Sequence, residues 1–164
     1  MAILEIIKYP DERLKTKSSV VETIDAATHS FIGDLVDTMR ASPGVGLAAS
    51  QIGRLIRVIA VDVTPKNPGH GLIVLINPEI TGSSGAKVGR EGCLSVPEYT
   101  ANITRATNIT VRGVGKDGRE TVIESEGFEA VALQHEIDHL DGILFIDRIA
   151  SMKRDLFKRK IKDM

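Results

Sequence analysis

An α+β fold, with mostly antiparallel β-sheets packed around one central helix, is predicted by three features of the sequence. Helical periodicity is confined to 24–39, 128–140 and the tail. β-Branched runs cut by turn residues fill the middle of the chain. The "KDG" at 116–118 is a hairpin signal between two of those runs. No internal repeat and no dividing linker interrupts the 164 residues, so one domain over 1–164 is expected.

The first helix is expected over Ile24–Met39, where Ile24, Ala27, Phe31, Leu35 and Met39 recur at helical spacing with Asp25 near the start. "ASPGVG" ends it. Strands are expected in "LIRVIAVDV" (55–63), "GLIVLINPEI" (71–80), "NITVRGV" (108–114) and "ETVIESEG" (120–127). The Pro- and Gly-containing "TPKNPGHG" (64–71) reads as a loop. A central helix is expected over Phe128–Leu140, with Gly142 as its stop and a core-facing stripe of Phe128, Val131, Ala132, His135 and His139. In the tail (151–164), Met152, Leu156, Ile161 and Met164 take one side. Lys153, Arg154, Lys158, Arg159, Lys160 and Lys162 crowd the rest, which predicts a basic amphipathic C-terminal helix.

Composition narrows the function classes. Apolar residues at 42% and charged residues at 26% describe an ordinary globular chain. The longest apolar runs fall far short of the roughly 20 residues of a membrane helix, so no membrane association is expected. The first twenty residues mix both charge signs and lack a secretory signal's apolar core, so a cytoplasmic location is expected. A formal net charge of −1 gives no general pull toward DNA. Cys93 is the only cysteine, so an intrachain disulfide is excluded.

The chemistry concentrates in "LQHEIDHLDG" (133–142). On a helix, His135 and His139 stand one turn apart and can reach one metal ion, with Glu136 beside them as a candidate base. A helix with two hydrogen-bonded histidines would carry the same letters. A catalytic site of this kind needs three protein ligands. Residues 140–164 hold neither His nor Glu, and Phe145 stands where a metzincin's last histidine would fall. Upstream, "REGCLSVPEY" (90–99) holds Cys93, whose thiolate would complete a Cys-His-His set with one position left for water. The glycine-rich "GVGLAASQIG" (44–53) is no phosphate loop, but its small residues allow close backbone approach and Gln51 offers an uncharged donor. Phe128, Val131 and Ala132 would serve equally as core or as walls of an apolar pocket beside the metal.

Taken in order, "GVGLAASQIG", "EGCLSVP" and "QHEIDHL", together with "KYPDERL" (8–14), resemble the signature segments of the bacterial peptide deformylase family. Ser50 and Glu98 depart from the commonest residues of those segments. The resemblance implies hydrolytic removal of the formyl group from the N-terminal formylmethionine of nascent chains. It implies one divalent ion on Cys93, His135 and His139, natively Fe(II), with Zn(II) or Ni(II) able to replace it. It further implies Glu136 as acid/base, and the Gln51 side chain and Leu94 N–H as oxyanion donors. Val45, Gly46 and Gly92 would lie along the peptide. The basic tail would contact the ribosome, as in some members. Two rivals stay open at this point. One is a metallopeptidase taking Asp155 as third ligand; the other is a structural site closed by a fourth ligand such as His29 or His70.

Overall fold

Asp25 starts the first helix as expected: its carboxylate accepts the Thr28 N–H at 2.9 Å, and α1 runs Ala26–Ala41. The computed structural model describes residues 2–158. Five strands, β1 (Gly46–Ala48), β2 (Val58–Val61), β3 (Ile73–Ser84), β6 (Asn108–Val114) and β7 (Glu120–Glu126), form an antiparallel sheet in the order β1-β2-β3-β6-β7. A second antiparallel sheet is ordered β4 (Lys87–Cys93), β5 (Val96–Arg105), β8 (Leu156–Lys158). The central helix α2 is Gly127–Leu140, and a single turn, α3, spans Met152–Asp155.

The larger sheet is covered on both faces, which explains why β2 reads as a continuous apolar run rather than an alternating one. Ile59 and Val61 point toward α2, together with Ile73, Leu75, Ile109 and Val111. Val58 and Ala60 point the other way, against Phe31, Ile32, Leu35 and Met39 of α1. Beneath the second sheet lies a smaller cluster of Leu14, Val96, Ala101, Ile103, Leu144 and Phe145, and Cys93 belongs to it. Cys93 is thus carried by one sheet, and His135 and His139 by a helix packed on the other.

Gly142 is the helix stop that its sequence position predicts. It sits at φ +73°, its N–H bonds the His139 carbonyl, and a Cβ there would meet the Lys15 carbonyl oxygen at 2.5 Å. The "KDG" hairpin is also as expected, with Gly118 at φ +82° closing β6 onto β7.

Three expectations are corrected. Of the expected core-facing stripe of α2, Ala132, His135 and His139 are buried, joined by Ala130, Leu133, Ile137 and Leu140, whereas Val131 is half-buried and Phe128 is 46% exposed. β4 and β5 were not expected as strands. The tail does not continue as a helix: after α3, Leu156–Lys158 pair with Ala101, Thr100 and Tyr99 along the outer edge of β5. Pairing an open edge and seating Leu156 against the second core outweigh helical propensity there. The remainder of the expected helix, 159–164, lies outside the described residues.

Candidate metal centre and active site

α2 brings its two histidines together by simple periodicity: the Nε2 atoms of His135 and His139 are 3.2 Å apart. The turn between β4 and β5 delivers the third donor, placing Cys93 Sγ 3.3 Å from His139 Nε2. These are the described residues whose donor atoms cluster, all within 4.8 Å of one another and all buried. A tetrahedral ion with bonds of about 2.0–2.3 Å needs ligand atoms about 3.3–3.6 Å apart, so the three donors fit one divalent ion. Neither Asp155, engaged by Arg154 and Ser151, nor His70, hydrogen-bonded to Glu129, joins the cluster. His29 lies on the exposed side of α1. Among the described residues, Cys93 and not Asp155 is therefore the third donor beside the two histidines, and neither His29 nor His70 stands as a fourth.

Electrostatics favour a cation among these groups. Burial, followed by the charges of His135 and Arg105, pushes His139 well below the ordinary histidine value, keeping its imidazole neutral. Burial would also lower His135, but its bonds to Cys93 and Glu91 outweigh that and raise it. Burial lifts the Glu136 carboxyl to about 7. A divalent ion held by the three donors would stand where these neighbours favour positive charge on His135.

A buried ionic network orients the helix ligand. His135 Nδ1 is 3.0 Å from Glu91 Oε1, the carboxylate partner a ligating imidazole commonly has. Burial would raise Glu91, but the bidentate Arg105 guanidinium at 2.8 and 2.9 Å, then His135, hold it at about 2. Arg105 also reaches Asp138 at 2.6 Å, and Asp138 is further bound by Arg148 at 2.7 Å. Replacing Arg105 with Met would remove the guanidinium shared by two buried carboxylates, leaving Glu91 with His135 and Asp138 with Arg148. We expect a loss of about 3–5 kcal/mol in stability, measured by denaturant unfolding. A loss below about 1 kcal/mol would show that water or Arg148 compensates.

A cleft of about 340 Å³ opens on the site. Every expected site residue lines it except the deeper His139: Val45, Gly46, Gln51, Gly92, Cys93, Leu94, Phe128, Val131, Ala132, His135 and Glu136. Glu136 Oε1 is buried without a hydrogen-bond partner. Gly46 makes room for that carboxylate, because a Cβ at this position would meet Glu136 Oε2 at 2.7 Å. Gln51 ends on the cysteine side of the cleft, with Nε2 3.7 Å from Cys93 Sγ. Sequence reasoning missed Glu91, Arg105, Asp138 and Ser95. Glu91 and Ser95 carried a signal, each two residues from the cysteine within "EGCLSVP".

Known proteins resemble this chain over nearly its whole length. The family model described as polypeptide deformylase matches residues 3–155. A peptide deformylase of Syntrophobacter fumaroxidans is 52% identical over 99% of this chain and 95% of its own length. One from Thermodesulfovibrio yellowstonii is 50% identical over 99% of this chain and 98% of its own. Among solved structures, a Legionella pneumophila peptide deformylase superposes with a TM-score of 0.86 at 43% identity, covering 93% of this chain and 89% of that one. The Ehrlichia chaffeensis peptide deformylase in complex with actinonin gives 0.88 at 38% identity, over 94% and 92% of the two chains. Matched by that family model over residues 3–155 and about half identical to two of its members over nearly its whole length, the chain belongs to the polypeptide deformylase family.

Proposed function

We propose that Cys93, His135 and His139 hold one divalent ion, natively Fe(II), and that Glu136, Gln51 and the Leu94 N–H carry out the removal of the formyl group from N-terminal formylmethionine. The observation that carries this reading is the unpartnered Glu136 Oε1 beside the three converging donors of Cys93, His135 and His139. A bound ion supplies Lewis-acid polarisation of the formyl group and a lowered water pKa. Glu136 takes a proton from the water that adds to the formyl carbon. The C–N bond then breaks, the same proton passes from Glu136 to the leaving amine, and formate departs. Charge gathers on the formyl oxygen during the addition, and the Gln51 amide and Leu94 N–H are the fixed donors aimed at it.

Binding follows from the walls of the cleft. Phe128, Val131 and Ala132 offer apolar surface for the methionine side chain within one or two helical turns of the ligands. β1 and β4 are each the edge strand of a sheet and flank the cleft, so an extended peptide can lie along Val45, Gly46 and Gly92 as an added strand. Such pairing uses backbone groups, so the reading implies weak dependence on most residues after methionine.

Replacing Gln51 with Leu should lower kcat by about 10²–10³ with the metal retained, the usual worth of one oxyanion donor. An unchanged kcat would reduce Gln51 to scaffolding. The reading as a whole is tested by an anaerobic assay on a formyl-Met peptide with the bound metal quantified in the same sample; iron that does not track activity would overturn the assignment of Fe(II).

No helix among the described residues is long and apolar enough to cross a membrane. We place the enzyme in the cytoplasm with nascent chains as substrate. The basic residues Lys158, Arg159, Lys160 and Lys162 provide phosphate-seeking charge for ribosome contact. That binding should weaken steeply with added salt in a sedimentation assay; salt-independent binding would discount the tail.

A further inference from the structure

We propose that Ser95 is a positioning residue for the reaction: its hydroxyl fixes the Gln51 amide so that one N–H is held toward the oxyanion position. The proposal rests on the reading of Gln51 as an oxyanion donor.

A glutamine amide can be turned about its last bond, and only one of its two orientations is useful here. The buried Ala48 N–H lies 3.0 Å from Gln51 Oε1 and needs an acceptor, so the carbonyl side of the amide must face it. The NH2 side is thereby turned toward the cysteine turn. One of its hydrogens is accepted by Ser95 Oγ at 3.0 Å. The other is donated to Cys93 Sγ over a long 3.7 Å, at the border of the cleft, where a developing oxyanion would compete with the sulfur for it. With both anchors the amide plane is fixed; with Ala48 alone it can pivot. Ser95 is fully buried, and its side chain does not line the cleft, so it acts through Gln51 and not on the substrate.

A second observation shows that the spacing of the pair is itself held. The N-terminal arm crosses from one turn to the other. Ile7 N–H donates to the Gln51 carbonyl at 2.7 Å, and Tyr9 N–H donates to the Ser95 carbonyl at 2.8 Å. Through these two bonds the arm ties the Gln51 turn, between β1 and β2, to the Ser95 turn, between β4 and β5. Leu94, the other proposed oxyanion donor, lies immediately before Ser95, so the same tie sets the distance between both donors.

The test is a double-mutant cycle in the metal-loaded enzyme. Ser95→Ala should lower kcat about tenfold, with KM within about twofold and metal content unchanged. In a Gln51→Leu background the same substitution should change kcat by less than about twofold, because the group it positions is gone. An equal fall in both backgrounds would overturn the proposal and leave Ser95 a packing residue. A Gln51→Leu enzyme with full kcat would instead overturn the role of Gln51, so the two failures are distinguishable. In the zinc-loaded protein, the side-chain amide resonances of Gln51 give an independent readout. Ser95→Ala should speed exchange between the two amide protons, and unchanged exchange would contradict the anchor. Ser95→Gly serves the same cycle should the alanine variant fail to fold.

Discussion

Glu136→Gln is expected to keep its metal and lose about 10²–10⁴ in kcat, the range a positioned acid/base usually contributes. Glutamine has nearly the same shape, so it fits the space that Gly46 leaves, and it cannot take up and return a proton. The native carboxylate is buried, with Oε1 unpartnered. Removing its charge should therefore leave thermal stability equal or raise it, which separates a chemical defect from a folding one. Steady-state turnover of a formyl-Met peptide, with metal determined by elemental analysis, is the measurement. Near-normal turnover would take the carboxylate out of the reaction.

Cys93→Ala should release the ion. Outer partners of ligands typically cost 10–100-fold in metal affinity when removed, and a direct ligand should exceed that range, about 100-fold or more. Activity should fall below detection at ordinary metal concentrations. The fold should survive: Cys93 is a small member of a cluster still supplied by Leu14, Val96, Ile103 and Phe145. Stoichiometric metal in a purified, dialysed variant would refute the three-donor centre.

What could be read from sequence was what local rules encode. Asp25 as a cap, Gly142 as a stop and the "KDG" turn each act within a few residues, and each stands where expected. The Cys-His-His trio was legible because helical spacing fixes two members and only one cysteine exists. β4 was not legible because its exposed face and glycines hide alternation; only Glu91 and Cys93 are buried in it. β5 carries Pro97 near its start, a residue that argues against a strand unless it lies at an edge or an end. The Glu91–Arg105–Asp138–Arg148 network joins residues 14, 33 and 10 positions apart, separations that leave no periodic trace. The tail misled because its helical spacing is real, while the open edge that captures it is visible only in three dimensions.

β8 has a consequence for how the molecule behaves toward its own kind. Three residues, Leu156–Lys158, occupy one flank of the ten-residue β5, and Phe157 also lies under the Arg90 guanidinium at 3.8 Å. A chain shortened before Leu156 would present that flank as bare N–H and C=O groups, a template for a neighbouring molecule. Those three residues therefore act as a guard against strand-to-strand self-association, protecting solubility from a position remote from the chemistry.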